Sequence, residues 1–115
     1  MTTVYITQET QHDFSEAEKF GGVEFLTAKD LNNNRNSPHN EALMADIAHR
    51  LRRFDPEQDY IVIAGSPYVS ALVFLLLGLR RERAIRILRW DNRDLKYIPL
   101  YLELRREADA SEAQS

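Results

Sequence analysis

Apolar positions along the chain alternate between two spacings. Runs of β-branched and aromatic residues read as strands, and steps of three and four residues read as helices. Val4-Tyr5-Ile6-Thr7 predicts a first strand. His12-Asp13-Phe14 then leads into Ser15-Glu16-Ala17-Glu18. That spacing is a capping box, in which Ser15 caps a helix and Glu18 reaches back to it. Gly21-Gly22 makes this helix short. Val23–Thr27 predicts the second strand, and residues 29–37, with four asparagines and no apolar period, predict a loop. Ser37-Pro38 has the chemistry of a helix start. Leu43, Met44, Ile47, Leu51 and Phe54 form its apolar stripe, which ends before Pro56. Tyr60–Ala64 is apolar on both faces, as a central parallel strand should be. Ser66-Pro67 repeats the helix start, Tyr68–Leu77 is apolar nearly all round, and Gly78 offers a stop. Ala84–Trp90 and Leu95–Leu104 predict two last strands, joined by the turn residues Asp91-Asn92-Arg93-Asp94. In the last strand Ile98, Leu100, Leu102 and Leu104 alternate with Tyr97, Pro99, Tyr101 and Glu103.

Right-handed crossovers onto both faces then give an α/β fold, a three-layer doubly wound and mostly parallel sheet of order 2-1-3-4. The short fourth connection makes the fifth strand antiparallel. Pro99 cannot donate to a ladder, which puts that strand at an edge. Residues 1–104 are expected to form one domain, and residues 105–115 a polar, alanine-rich C-terminal tail. The helix Tyr68–Leu77 carries more apolar surface than one sheet face needs. A homodimer with Val69, Val73 or Leu76 in its interface would bury the surplus. The competing expectation is a monomer in which the fifth strand or the tail covers the helix.

Composition narrows the function classes. A chain of 115 residues supports a core without staples, and it has no cysteine for a disulfide, a thiolate metal site or a thiol nucleophile. Tyr60 to Leu79 is uncharged over the length of a membrane span, but Gly65-Ser66-Pro67 breaks it into a strand and a helix. The start Met1-Thr2-Thr3-Val4-Tyr5 lacks the features of a signal peptide, so a soluble, cytoplasmic protein without a membrane partner is expected. The net charge of -3 argues against a generic nucleic-acid binder. Charge is unevenly spread, however. Residues 1–48 hold eight acidic and three basic side chains, while residues 80–106 hold four acidic and nine basic.

Two places could carry binding chemistry. In a doubly wound sheet the ligand crevice opens at the carboxyl ends of the strands, where the winding reverses. Thr7, Gln8 and Glu9 would line it from one side, Gly65 and Ser66 from the other. The helix starting at Ser66 would point its free N–H groups there, suiting a nucleotide or phosphate. A small residue in that place is also ordinary strand-to-helix chemistry, and no glycine-rich phosphate motif accompanies it. The second place is the C-terminal hairpin, where Trp90, Tyr97 and Tyr101 interleave with Arg86, Arg89, Arg93 and Lys96. Such a mixture suits a protein partner, or stacking on single-stranded nucleic acid. It also suits simple cross-strand packing. His12, His39 and His49 lack metal-ligand spacing, and Glu16 and Glu18 are explained by a cap. No catalytic residue, metal site or cofactor is therefore assigned.

One set of motifs carries a resemblance. Asp13-Phe14-Ser15-Glu16-Ala17, Phe20-Gly21, Asp59 to Pro67, Leu88 to Arg93 and Tyr97-Ile98-Pro99 resemble segments of a group of small uncharacterised bacteriophage proteins. Those carry a strand-Gly-Asp-Pro-helix segment and a Lys-Trp-Asp-Arg hairpin. Ser66 stands here in place of the aspartate and Arg89 in place of the lysine. The resemblance implies a phage accessory protein acting in the host cytoplasm and no particular activity. The expectation is a non-enzymatic protein that binds a host or phage macromolecule. A small-ligand module at Gly65-Ser66 and nucleic-acid binding through the basic hairpin are the alternatives.

Overall fold

In the computed structural model, which describes residues 1–104, strands open and close the described part of the chain. β1 (Thr3–Ile6) is followed by a 3-10 helix (Ser15–Lys19), β2 (Gly22–Phe25) and α1 (Pro38–Arg50), which tightens into a 3-10 turn (Leu51–Arg53). β3 (Tyr60–Val62), α2 (Pro67–Leu79), β4 (Ala84–Asp91) and β5 (Lys96–Glu103) complete it. The sheet order is β2-β1-β3-β4-β5, parallel except for the β4–β5 hairpin. This is the α/β architecture that the apolar pattern implies. No helix among the described residues is long and apolar enough to cross a membrane.

The order of the strands decides which face each connection covers. The β1–β2 crossover lies on one face, and the two later crossovers lie together on the other. α1 and α2 therefore share a face, where Tyr5 and Ile61 meet Leu43, Ile47, Leu51, Val69, Val73 and Leu77. On the opposite face Val4, Ile6, Val62, Leu88 and Tyr97 lie beneath Phe14 and Ala17. That third layer is thin, because a single 3-10 turn forms it.

Both serine-proline starts form as the sequence implies. Ser37 accepts from the Asn40 N–H, and Ser66 from the Tyr68 and Val69 N–H groups. Several finer expectations are corrected. Ser15 is no cap. Its N–H donates to Asp13 Oδ1 at 2.9 Å, so the aspartate two residues earlier takes the group that a capping box would use. That N–H, then the Ser15 hydroxyl, hold the Asp13 carboxyl below its usual range. Gly78 does not stop α2, which continues to Leu79. Met44 lies partly exposed, while Leu43, Ile47, Leu51 and Phe54 are buried. Val69 and Val73 are fully buried in the intramolecular core, so they are not free for an interface. The outward residues of α2 are Tyr68 (74% exposed), Leu75 (60%) and Leu79 (73%). The tail at 105–115 lies outside the described residues.

Candidate functional site

The crevice between β1 and β3 is occupied by the chain's own side chains. Thr7 is buried, and its hydroxyl oxygen accepts from the Ala64 N–H and donates to the Ala64 carbonyl, both at 2.9 Å. Ser70 Oγ approaches the same oxygen at 3.2 Å. Gln8 bridges two loops. Its Oε1 accepts from the Ser66 N–H at 2.6 Å, and its Nε2 donates to the Lys29 carbonyl at 2.9 Å. Gly65 has φ +76, and a Cβ built there would stand 2.0 Å from Gln8 Oε1. Glycine is thus required, but the close neighbour is Gln8. Ser66 Oγ takes the next two N–H groups of α2. Thr7, Gln8, Gly65 and Ser66 are therefore brought together, with Gln8 bonded to Ser66 and Thr7 to Ala64 and Ser70. Glu9 stands apart in a shallow cleft with Lys29, Asp46 and Arg50.

The hairpin residues divide between the two faces, because neighbours in a strand point opposite ways. Trp90 pairs with Tyr97 across the hairpin, ring centres 4.9 Å apart at 61°. Tyr97 is buried, and this burial, then the nearby Asp13 carboxylate, push its hydroxyl pKa up. Trp90 donates to Asn92 Oδ1 at 2.8 Å and meets His12 edge-on at 5.0 Å. His12 in turn packs on Phe14 at 4.9 Å. Arg86 lies on the same face, 4.8 Å from the Tyr60 ring and 5.9 Å from that of Tyr101. Its Nη2 donates to the Glu57 carbonyl, while its Nε is buried without a hydrogen-bond partner among the described residues. Arg89 belongs to the helix-bearing face, and Arg93 and Lys96 sit exposed at the hairpin end. The basic and aromatic residues do not make one surface.

A cavity of about 410 Å³ joins parts of both places. Gly65 contributes from the first, and Arg89, Trp90 and Tyr97 from the second. Thr10, His12, Ile63, Ile87 and Leu100 also line it, and sequence reasoning assigned them nothing. Its cause is a mismatch of strand lengths. β3 has three residues and β4 has eight, and they share one ladder pair, Ile61↔Ile87. The abrupt Gly65-Ser66-Pro67 turn was the available signal, since it ends β3 early. Among the described residues no group of three His, Asp or Glu side chains could hold a metal ion.

A second apolar feature lies between α2 and β5. A groove of about 200 Å³ there is lined by Phe74, Leu77, Gly78, Ala84, Ile85, Leu102 and Leu104, with Glu82 and Arg83 also in its wall. Leu100 and Leu102 pair with Ile87 and Ile85 and so share the helix-bearing face, yet both are exposed.

Comparison with known proteins adds one relationship. Residues 2–104 match the model of the family described as phage Pam3 gp32-like protein. No curated protein and no solved structure matches the chain.

Proposed function

Since the chain belongs to the phage Pam3 gp32-like protein family, we propose that it is a non-enzymatic phage accessory protein. It binds a host or phage protein in the host cytoplasm through the outer side of α2 and the adjoining face of β5. The observation that carries this reading is the apolar surface there. Tyr68, Leu75 and Leu79 project from α2, and Leu100, Leu102 and Leu104 from β5 and its end. A groove walled by Phe74 and Gly78 of α2 and by Leu102 and Leu104 lies between the two elements. Large contiguous apolar surface on a soluble domain marks an interaction site. A protein partner fits better than nucleic acid, because the projecting side chains are apolar, the groove between them carries one acidic and one basic residue, Glu82 and Arg83, and the basic side chains of the hairpin lie on different faces. An anion at Gly65-Ser66 is disfavoured because the nearby N–H groups already have acceptors.

The test is capture from lysate of phage-infected bacteria by purified wild type and by the double variant Leu75→Glu, Leu102→Glu. Both positions are exposed, so the fold should tolerate the charges. The reading expects a partner held by wild type and lost by the variant. Equal capture by both would remove this surface from the account.

The same surface supports a second reading, self-association. Tyr68, Ala71, Leu75 and Leu79 recur at three- and four-residue steps along the exposed side of α2, the pattern of a helix that packs on another. A homodimer would use these residues and partly buried Leu76.

A further inference from the structure

The notch between β3 and β4 has the features of a small-molecule site, and it shares with the α2–β5 surface one residue, Leu100. β3 ends at Val62 and turns away through Gly65, while β4 runs on to Asp91 with no ladder partner on its β3 side beyond Ile87. The resulting cavity, about 410 Å³, falls within the range of small-ligand pockets, roughly 300–1,000 Å³. It opens at the carboxyl ends of parallel strands, where α/β sheets bind ligands. Its walls are mostly apolar, and Ile63 is left 52% exposed. Trp90 and Tyr97 supply aromatic wall, and the edge-on His12 holds the indole in place. One full charge lines the cavity. Arg89 is exposed and makes no ion pair among the described residues.

Flat apolar wall with a single unpaired guanidinium selects a matching ligand. An aromatic ring stacks or packs edge-on against Trp90. A carboxylate or similar anion on that ring takes the planar fork of Arg89 in a bidentate pair. We propose that the notch between β3 and β4 binds a small planar aromatic molecule bearing one anionic group, its ring held in the notch against Trp90 and Ile63 and its charge reaching through the notch to Arg89, which stands on the other face of β4 from Trp90.

Trp90 is the only tryptophan, so one indole N–H resonance reports on the site. The experiment titrates the ¹⁵N-labelled full chain with 1-naphthoate, and in parallel with the neutral 1-naphthalenemethanol. Saturable shifts are expected at the Trp90 indole and at the amides of Ile63, Gly65 and Arg89, with those of Leu43 and Ile47 unmoved. Arg89→Gln, at an exposed position, should weaken naphthoate about tenfold, the worth of roughly 1.4 kcal/mol. The alcohol should bind wild type with similar weakness. No saturable shift at millimolar naphthoate would overturn the proposal. So would shifts centred away from the notch, or equal affinity for acid and alcohol, or equal affinity of wild type and Arg89→Gln for naphthoate. Leu75 and Leu102 lie outside the cavity, so such a failure is separate from a failure of the protein-binding surface.

Discussion

At the scale of single residues, the junction of β3 and α2 depends on Gly65 and Gln8 together. Gly65→Ala places a methyl group against the Gln8 amide and forces a left-handed backbone on alanine. Removing the amide in a Gln8→Ala background relieves the first penalty and leaves the second. Gly65→Ala should therefore cost about 2 kcal/mol or more alone and about 1 kcal/mol beside Gln8→Ala, in a double-mutant cycle of urea unfolding. Asp59 is a second anchor. It is buried and accepts from the Thr3 N–H at 2.9 Å and the Asp55 N–H at 2.8 Å. Asp59→Ala strands both donors and should cost about 1.5–3 kcal/mol. Burial also pushes up the pKa of Tyr97, and that of Tyr5, the latter further raised by Asp59 and Glu24. A raised folded pKa leaves stability complete below about pH 10, the unfolded value. Above it the unfolded chain ionises first, so stability falls as pH rises toward the folded values. Tyr97→Phe should flatten that alkaline decline, seen as urea midpoints from about pH 8 to about pH 11. That a small residue suits position 65, between strand and helix, was legible in the sequence. Its reason was not, because the neighbour it accommodates comes from residue 8, across the sheet.

The stop of α2 shows how element boundaries escape the sequence. The Glu82 N–H donates to the Leu77 carbonyl at 3.1 Å and the Arg81 N–H to Gly78 at 2.9 Å. These are the two bonds of a Schellman motif, with Arg81 (φ 62) in the left-handed place usually given to glycine. Gly78 looked like the stop because it is the nearer glycine, but its hydrogen-bond position lies inside the last turn. Arg81→Gly should stabilise the domain by about 1 kcal/mol, raising the thermal midpoint by several degrees. Gly78→Ala should also be tolerated, since nothing lies within 4 Å of a Cβ there. The long α1 stripe and both serine-proline starts were readable because they depend on local spacing. The short helix before Gly21-Gly22 was readable too, but its 3-10 form was not, since a single side chain, Asp13, redirects its first N–H. In β5 the alternation was visible, but which side would be covered was not. Tyr97 packs inward beneath the thin third layer, while Leu100, Leu102 and Leu104 stay exposed where α2 leaves off.

Over the whole molecule, the fold leaves its two faces unequally served. Two helices share one face, yet that face extends past them onto the hairpin, where leucines are exposed. The sequence pointed to surplus apolar area on α2 and to a dimer, and named Val69 and Val73, which the structure buries in the core, beside Leu76, which is partly buried. A helix that is apolar all round has no polar side to mark its orientation, so only the packing reveals that Tyr68, Leu75 and Leu79 face out. Static light scattering across micromolar concentrations tests the self-association reading. A mass rising from 13.4 kDa toward twice that value, abolished by Leu75→Glu, is expected if two copies share this surface. The most direct test of the protein-binding surface is photo-crosslinking during phage infection. A benzophenone-bearing residue replaces Leu75 or Leu102, with a control at exposed Glu18 on the opposite face. The account predicts a discrete adduct with the same protein from positions 75 and 102 and none from position 18. Absence of an adduct at both surface positions, or the same adduct from position 18, would contradict it.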